Sequence, residues 1–547
     1  MCFTLISVGC GSDEPVATPS FGDSATIKFW PIPRNFTGNE ASEITLQDDF
    51  RFTRATQMDT SVHVSRLLEA TAIVNSHISN LLERFHELKD GSPSKTSSCS
   101  LIVDNPGGQM SDNTSSESYT ISFRDAEGSC YIKCETAYGC IRGLFTFLQM
   151  IDPVKKFKVP ALFEINDQPA FSHRGLLLDT GRHFIPASMI EDHIRVMASV
   201  KMNVLHWHIT EDPSFPLALE GDNVKRLGTV GSFHPSRAVY TKSDVKRIVD
   251  LASSLGIRVI PEIDIPAHTT SWWRAAYPEL QGRAKGALDP TREENYAFIE
   301  SVLTEVIEWF QQDIYEGPPV IHLGGDKIWE AWNTDAIMSW MRNNEMTSMS
   351  QLVQYWFSRI MGIAKKLGVK VIMWEDFLSQ TGDSIQGFGD NDNPIIFETW
   401  LRNVDDTIKL ADTINRNVIF SGLFYLDYLN LAWTDFYRIN LNSGTKNVRF
   451  LGAEACMWGE WVDETNMFPR TWPRAAAVAE RLWCGPRCNQ DPSVNAILRM
   501  AKWRCRMVNL FGYNNIEPVG NEKPASPDVS WVYGTDKTQW WCDEASL

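Results

Sequence analysis

The sequence lacks the features of several large protein classes. No apolar run in the 547 residues reaches the roughly 18 residues that a membrane-spanning helix requires, so no membrane span is expected. Positive charge is also scarce: 51 lysines and arginines stand against 68 aspartates and glutamates, a net charge of −17 at pH 7. Because such a chain has no broad basic surface for phosphate groups, we expect no nucleic-acid partner.

Signals for bound metals and nucleotides are missing too. None of the eleven cysteines has the spacing with histidines that zinc sites show, and no metal site is expected. No glycine-rich phosphate turn follows the first strand of the main repeat described below, which argues against a dinucleotide. The sequence therefore implies no cofactor.

Tryptophan, in contrast, is abundant, with 20 among 547 residues. A tryptophan ring favours burial and its N–H group needs a hydrogen-bond partner, so such an excess asks for an explanation. Two explanations remain open at this point: a very aromatic core, or a surface that stacks on flat ligands such as sugar rings.

The start of the chain and two sequons bear on the compartment. Residues 1–20 are interpreted as a leader or a disordered segment, whose first apolar stretch is at best a weak or truncated signal peptide because no basic residue precedes it. Asn35 and Asn113 begin N-glycosylation sequons. Together these features favour a lysosomal or secreted protein.

The cysteines form an early and a late group. Cys99 is predicted to close an N-terminal loop with either Cys130 or Cys134. Cys505 and Cys542 flank the C-terminal segment and are candidates to staple it. Eleven cysteines in a chain of this length are too few for a fold built mainly on disulfides.

Residues 21–165 are predicted to form a small α+β domain. Apolar residues at helical spacing predict a helix over 61–88, and β-type residues predict strands over 118–123 and 130–133. Residues 160–169, bounded by prolines, are interpreted as a linker into the next domain.

Residues 166–547 have a different pattern, in which short apolar runs alternate with helical stretches. The predicted strands are 175–180, 204–210, 258–266, 319–325, 370–376, 394–400, 417–426 and 451–458. The intervening predicted helices include 186–201, 243–255, 293–312 and 349–367. Eight β–α units predict a (β/α)8 TIM barrel of the α/β class, with a doubly wound open sheet as the alternative.

A barrel carries its active site where its strands end. Nearly every predicted strand here ends in a carboxylate, a histidine or a tryptophan, as at Asp179, Trp207, Trp374 and Trp458, and these residues are expected at the rim of the barrel. Carboxylates accept hydrogen bonds from hydroxyl groups, and aromatic faces stack on sugar rings. This recurrence indicates a carbohydrate-active enzyme.

Six sequence strings then resemble one known family. HRGLLLDTGRHF, NVLHWHITEDPSFP, PEIDIPAHT, HLGGDK, VIMWED and GAEACMWGEWVDETN resemble the β-N-acetylhexosaminidases of glycoside hydrolase family 20, in the same order, and the likeness runs from about residue 22 to 510. The resemblance implies removal of a terminal N-acetylhexosamine from glycans by substrate-assisted retaining catalysis, in which the 2-acetamido oxygen of the substrate is the nucleophile. It leaves a homodimer open and does not specify the natural glycan.

The resemblance also implies roles for single residues. Asp326 would orient the acetamide and stabilise the oxazolinium intermediate, and His268, backed by Glu211, would support the catalytic acid. The residues implied to grip the sugar and its acetamide are Arg182, Trp374, Trp400, Tyr425, Asp427, Trp458 and Glu460.

The chain departs from the family pattern at the general acid/base, where Lys327 replaces glutamate. A lysine ammonium has a pKa near ~10.4 in model peptides and is a poor acid at neutral pH. Its charge would also repel a cationic transition state by about 3 kcal/mol at ~6 Å and an effective dielectric of ~20, roughly a hundredfold in rate. Glu211 stands where the family has aspartate, and the segment 328–332 is one residue shorter than usual.

Several interpretations follow from Lys327. The chain is an enzyme of strongly reduced activity, a sugar-binding pseudoenzyme, or an active enzyme whose residue 327 is an engineered change or a sequence error. A non-catalytic structural protein without sugar affinity is a further alternative. Lys327 is expected to pair with Glu211, and Glu330, Glu262 and Glu375 are weaker candidates for a replacement acid.

Overall fold

The structure, a computed structural model, describes two packed domains. It covers residues 29–54, 61–84, 95–123, 129–151, 157–382, 395–441, 449–488, 494–509, 511–513, 515–517 and 519. Within these segments, no helix has both the length and the apolar character needed to cross a membrane.

The N-terminal domain is of the predicted α+β class, and it consists of a five-stranded sheet with two helices. Its strands, in the order β1-β2-β4-β3-β5 with β5 pairing back onto β1, are β1 Asn35–Arg54, β2 Lys95–Val103, β3 Tyr119–Phe123, β4 Cys130–Cys134 and β5 Lys158–Asp167. The helices are α1 Val62–Arg84 and α2 Ala137–Leu148. The expected linker at 160–169 is wrong, because most of it belongs to β5, which forms antiparallel ladders with both β1 and β3.

The second domain is a closed barrel of eight parallel strands, which confirms the predicted TIM barrel and excludes the open sheet. Its strands are β6 His173–Asp179, β7 Val204–His208, β8 Arg258–Glu262, β9 Val320–His322, β10 Lys370–Trp374, β11 Ile396–Thr399, β12 Val418–Phe420 and β13 Phe450–Met457. They pair in sequence order, and β13 closes the barrel onto β6.

Helices surround this barrel and extend beyond it. They are α3 Ala187–Ser199, α4 Arg226–Val230, α5 Lys242–Ser254, α6 Glu293–Trp309, α7 Ile328–Trp332, α8 Asp335–Asn343, α9 Met349–Leu367, α10 Asp376–Thr381, α11 Val404–Ile414, α12 Trp433–Tyr437, α13 Met467–Thr471, α14 Arg474–Cys484 and α15 Val494–Asn509. The four helices expected between strands correspond to α3, α5, α6 and α9.

Inward-pointing side chains fill the barrel in layers, because successive strand residues alternate between its two faces. The lowest layer is aliphatic and consists of Val204, Ile260, Ile372, Ile396, Ile419 and Leu451. Above it lies a charged layer around His206, in which Glu454 accepts hydrogen bonds from His173 at 2.6 Å and His206 at 2.8 Å. The uppermost layer, formed by Leu177, Trp374 and Cys456, is apolar again.

A buried charge network joins the two domains. Glu117, at the end of a short turn before β3, pairs with Arg142 of α2 at 2.8 Å and with Arg174 of β6 at 2.6 Å. Asp167, the last residue of β5, pairs with Lys201 at 2.9 Å. Because buried charges are costly to leave unpaired, these pairs hold the domains in one arrangement.

The disulfides resolve part of the cysteine question. Cys99 is bonded to Cys130, one of its two expected partners, while Cys134 is bonded to Cys140. A third bond, Cys484–Cys488, closes a short loop that the sequence did not indicate. Cys505 is also disulfide-bonded, and Cys542 lies outside the described residues.

Candidate active site

Arg182 is the charged centre of one side of the site. It follows β6 and donates to Asp179 at 2.5 Å and to Glu211 at 2.7 Å, and its Nε lies 3.5 Å from Glu460. Its guanidinium also lies over the Trp458 ring, 5.3 Å from the ring centroid. The buried Asp179 orients this turn by accepting the backbone N–H groups of Arg182 at 3.1 Å and Gly459 at 2.8 Å. A guanidinium fixed on several sides offers its remaining edge to neighbouring hydroxyl oxygens.

His268 connects Glu211 to Asp326. Its Nδ1 lies 2.9 Å from Glu211 and its Nε2 lies 3.2 Å from Asp326 Oδ2. Although burial disfavours the imidazolium, the surrounding carboxyl groups, Asp264 first among them, raise the pKa of His268 to about 12. A protonated ring can donate on both sides, so Glu211, His268 and Asp326 form one chain of charge-assisted hydrogen bonds.

Asp326 combines burial with an unused oxygen. Burial favours its neutral form, but the hydrogen bond and charge of His268 hold its pKa below the ordinary value, so the carboxyl group is ionised. Its Oδ1 is buried and has no hydrogen-bond partner among the described residues. An ionised oxygen left unsatisfied in a concave site indicates a ligand group as its missing partner.

The loop after β9 places this carboxylate by means of an unusual backbone. Gly324 has φ +63°, and a Cβ there would lie 1.7 Å from Asp264 Oδ1. Gly325 has φ +102° and donates its N–H to the same oxygen at 3.2 Å. Only glycine accommodates this approach of backbone to carboxyl group, which explains the GG in HLGGDK.

Lys327 follows directly, with φ +55°, and is the residue immediately before α7. Its side chain is 63% exposed, and its Nζ lies 3.9 Å from Asp326 Oδ2. The expected Lys327–Glu211 pair is wrong, because both oxygens of Glu211 already bind Arg182, His208 or His268 and no such pair occurs among the described residues. Glu330, the first alternative acid, is exposed on α7.

Four aromatic residues form a cage beside Asp326. Trp374 and Trp458 have ring centroids 5.8 Å apart, Tyr425 lies 5.8 Å from Trp458, and Trp400 stacks on Tyr425 at 6.4 Å and 9°. Three strand ends and the segment after β12 thus bring together four residues that are far apart in the sequence. We call Trp374, Trp400, Tyr425 and Trp458 the aromatic cage.

Carboxyl groups outside the predicted set fix the orientation of the cage. Glu262 accepts the Trp374 indole N–H at 2.9 Å, and Asp376 accepts the Trp400 indole N–H at 2.7 Å. Glu375 accepts the Trp400 backbone N–H, also at 2.7 Å. Glu262 and Glu375 are therefore engaged in support and do not serve as replacement acids.

Two further buried side chains form the bottom of the aromatic cage. Leu177 and Cys456 are fully buried and pack with the four rings. Sequence reasoning missed both, although strand alternation contained the signal: each lies two residues before a site residue, Asp179 or Trp458, and so on the same face. Cys456 also holds Tyr425 in place, because its backbone bonds to Phe424 at 2.9 Å and Leu426 at 2.8 Å.

Asp427 and Glu460 lie at the outer edge. Burial, followed by the nearby charge of Glu460, raises the pKa of Asp427 to about 6, and its Oδ1 is buried without a hydrogen-bond partner among the described residues. Glu460 is 44% exposed. Both carboxyl groups therefore have free oxygens for ligand hydroxyls.

The tryptophans separate into two groups. Trp309, Trp356, Trp472 and Trp483 are all buried and belong to the core. Trp207, expected at the rim, instead points away from the barrel interior, packs on Tyr240 and Phe310, and donates to Thr180 at 2.9 Å. The expectation failed because one strand step separates it from the inward His206 and His208.

Groups of metal-ligand type occur within the described segments. The atoms of His206, Glu262 and His322 lie within 4.8 Å of one another, as do those of Asp264, His268 and Asp326. Short contacts already join most of these groups: His206 lies 2.9 Å from Glu262, and His322 lies 3.1 Å from the same residue.

Comparisons with known proteins agree with this geometry. Residues 171–486 match the family model "Glycosyl hydrolase family 20, catalytic domain", and residues 29–150 match "beta-acetyl hexosaminidase like". The chain is 33% identical to the mouse beta-hexosaminidase subunit alpha over 417 residues, 72% of this chain and 75% of that protein. It is 30% identical to the rat beta-hexosaminidase subunit beta over 520 residues, 89% of this chain and 93% of that protein.

Solved structures share the fold. A chitobiase from Flavobacterium johnsoniae superposes with a TM-score of 0.74 at 24% identity, covering 89% of this chain and 74% of that one. An exo beta-N-acetylglucosaminidase from Vibrio harveyi, solved with N-acetylglucosamine, gives a TM-score of 0.71 at 20% identity, covering 92% and 79%.

Proposed function

Because the chain belongs to glycosyl hydrolase family 20, we propose that its site binds a terminal N-acetylhexosamine of a glycan and cleaves it with help from the substrate's own 2-acetamido group. The observation that carries this proposal is the ionised Asp326 beside the aromatic cage, with one buried oxygen that has no hydrogen-bond partner in the described part of the chain. An acetamide N–H satisfies that oxygen, and the apolar cage accommodates the acetamide methyl group.

The remaining residues fit the same ligand. Arg182, Asp427 and Glu460 surround the opening with one fixed guanidinium and two carboxyl groups, which suit ring hydroxyls. In the reaction, the acetamide oxygen attacks the anomeric carbon and forms an oxazolinium ion. The Asp326 carboxylate stabilises the positive charge of that ion, and this electrostatic contribution is available before the reaction begins.

Proton delivery is the step that the site supports least. The side chain at the acid/base position is an exposed ammonium group, and Glu330, Glu262 and Glu375 are exposed or engaged elsewhere. We infer slow turnover, with activated leaving groups preferred because they depart without protonation.

A second candidate function is sugar binding without turnover. The observation in its favour is Lys327 itself, since the acid/base position carries no carboxylate while Arg182, the group that we propose binds the ring hydroxyls, is held by Asp179 and Glu211. In that case the chain is a lectin-like module that retains the barrel pocket.

One pair of measurements separates these functions. Calorimetry with a thiazoline that mimics the oxazolinium ion should show one-site binding, and an aryl N-acetyl-β-glucosaminide should be hydrolysed slowly but measurably. Binding with no hydrolysis favours the lectin-like module. Absence of binding contradicts both candidates, and rapid hydrolysis of both aryl and natural glycosides contradicts the impaired acid.

A secretory route is also proposed for this chain. Disulfides persist in oxidising compartments, and the N-terminal domain contains two of them. Asn35 and Asn113 are both exposed, as glycan attachment requires. Mass spectrometry of the protein from its natural source, before and after glycosidase treatment, tests this assignment.

A further inference from the structure

The ammonium group of Lys327 has no hydrogen-bonding anion among the residues that the structure describes. Its distance of 3.9 Å from Asp326 Oδ2 exceeds hydrogen-bond reach, and within the described segments no other carboxylate lies within 4.0 Å of it. The same Asp326 oxygen is already taken by the His268 ring. With 63% of its side chain exposed, Lys327 is open to an anion arriving from solvent.

This charge changes which molecule can complete the reaction. In the proposed function, water opens the oxazolinium ion only if a base removes its proton, and an ammonium group is no such base. An oxyanion needs no base, because it is already a nucleophile. A glutamate at position 327 would repel that anion, whereas a lysine attracts it and binds phosphate as a point charge.

We propose that Lys327 recruits inorganic phosphate and that the chain transfers the N-acetylhexosamine to it, an activity that rests on the proposed function. Dihydrogen phosphate gives one proton to the leaving glycosidic oxygen while the acetamide oxygen bonds to the anomeric carbon. A phosphate oxygen then bonds to that carbon from the face the leaving group occupied, and the bond to the acetamide oxygen breaks. The products are the free alcohol and a β-configured N-acetylhexosamine 1-phosphate, with the charge of −1 conserved.

The test uses the full chain with an aryl N-acetyl-β-glucosaminide. Phosphate is varied from zero to about 100 mM at constant ionic strength, with sulfate as the matched oxyanion that has no transferable proton at neutral pH. We expect phosphate, and not sulfate, to raise aryl alcohol release about tenfold or more. Phosphorus NMR should show the β-configured sugar phosphate as the main product.

Variants separate recruitment by Lys327 from general buffer catalysis. Lys327→Gln should lose most of the phosphate effect, and Lys327→Glu should accelerate hydrolysis by water while ignoring phosphate. Lys366→Gln is the control, because Lys366 is 67% exposed and pairs with Glu300 just before β10, at the opposite end of the barrel from the site.

Each result decides something. Thiazoline binding together with a phosphate-independent rate overturns the phosphate proposal and leaves the proposed function standing. A phosphate effect that yields only free N-acetylhexosamine, or that survives in Lys327→Gln, also overturns it. Loss of thiazoline binding removes the proposed function itself, and phosphate transfer with it.

Discussion

The two sides of the site differ in how firmly their groups are held. On the cage side, at the ends of β10, β11 and β13 and after β12, Trp374 and Trp400 donate their indole N–H groups to buried or half-buried carboxyl groups. On the proton-transfer side, at the ends of β7 to β9, a chain of hydrogen bonds runs from Glu211 through His268 and stops at Asp326. Lys327, the next residue, extends into solvent without a hydrogen bond of its own among the described residues.

This difference indicates that the aromatic cage and the Glu211–His268–Asp326 chain are held largely by different groups. They meet at Arg182, which contacts Glu211, and at Glu262, which contacts both Trp374 and His208. The cage depends on Glu262, Glu375 and Asp376, and none of these forms an ion pair or hydrogen bond with Lys327 within the described part of the chain. A change at residue 327 can therefore alter proton transfer while the cage keeps its shape. Each of the following variants breaks or sharpens that separation.

The largest effect is expected from Lys327→Glu. A carboxylic acid at this position supplies the missing proton donor and removes a cation from the neighbourhood of the oxazolinium ion. A positioned acid/base contributes about 10²–10⁴ in rate, so kcat/KM for natural-type glycosides should rise by a factor of hundreds or more. Lys327→Gln, which removes only the charge, is the matched control and should give a much smaller gain.

Steady-state kinetics with aryl and alkyl glycosides check this prediction. The gain should be larger for the alkyl glycosides, whose leaving groups need protonation. An unchanged rate would mean that Glu211 or the short segment 328–332 also disables the proton-transfer side. Thiazoline affinity should change little, since the cage is supported elsewhere.

Arg182→Met tests the group that is proposed to bind the ring hydroxyls. Its loss removes the group that donates to the ligand's hydroxyls. It also leaves the buried Asp179 without its cation, which costs about 3–5 kcal/mol of stability, while Glu211 keeps His268 as a partner. Thiazoline affinity should fall about a hundredfold and the melting temperature should drop. Arg182→Lys restores the charge but not the planar fork, so it should recover stability more than affinity.

Calorimetry and thermal denaturation provide the two readouts. Loss of affinity with full stability would show that Asp179 and Glu211 find other partners, and would weaken the description of Arg182 as the charged centre. Equal recovery of affinity and stability in Arg182→Lys would contradict a role for the bidentate geometry.

Cys456→Ala tests whether the bottom of the cage limits the size of the acyl group that the site can bind. The side chain is fully buried beneath the four rings, and its replacement by alanine removes one sulfur atom's volume there. One methylene in a fitted apolar pocket is worth roughly tenfold or more in discrimination. The affinity for an ethyl-substituted thiazoline divided by the affinity for the methyl form should be about tenfold higher in the variant than in the unaltered chain.

Leu177→Ile, which conserves volume at the neighbouring position, is the matched control and should leave the ratio of affinities nearly unchanged. A ratio that stays constant in Cys456→Ala would place the end of the acyl group elsewhere in the cage. Both measurements are affinities, so slow turnover does not obscure them.

The sequence predicted the barrel well because parallel strands buried on both faces leave strong apolar runs. All eight strands occur near their predicted positions, and the residues at their ends converge as expected. The sequence could not predict the distances between side chains of different strands. Nothing local indicated that Arg182 would occupy Glu211 and so prevent its pairing with Lys327, since the two are 29 and 116 residues away from Glu211 in opposite directions along the chain.

Other errors have equally physical causes. The prolines at 160 and 169 resembled a linker, but Pro160 sits in β5 opposite β1, at a point that the ladder between β5 and β3 does not reach, and a proline is tolerated there. Trp207 was assigned to the rim by its position in the chain, whereas strand alternation turns it towards the surrounding helices. Cys456 was missed and Glu262 was given the wrong role, because what both residues do depends on partners from other strands.

Asp376 links the two sides, and Asp376→Asn is expected to have the smallest effect. Burial, followed by the charge of Asp326, raises the pKa of Asp376 from 3.8 to about 7, while its carboxyl group holds the Trp400 indole. The folded state therefore binds this proton more tightly than the unfolded chain. The stability that the group contributes is fully present below pH ~4 and is lost as the pH rises through about 7.

Asparagine keeps the indole hydrogen bond and does not titrate, so the variant should gain stability relative to the unaltered chain as the pH rises from about 4 to 7. The expected gain above pH 8 is about 2 kcal/mol, half of what the full pKa shift corresponds to, because the group is only half-buried. Melting temperatures measured across this range check it, with Asp405→Asn on the exposed start of α11 as the pH-independent control. A difference that does not vary with pH would mean that Asp376 is ionised throughout, and that the charge of Asp326 does not reach the cage.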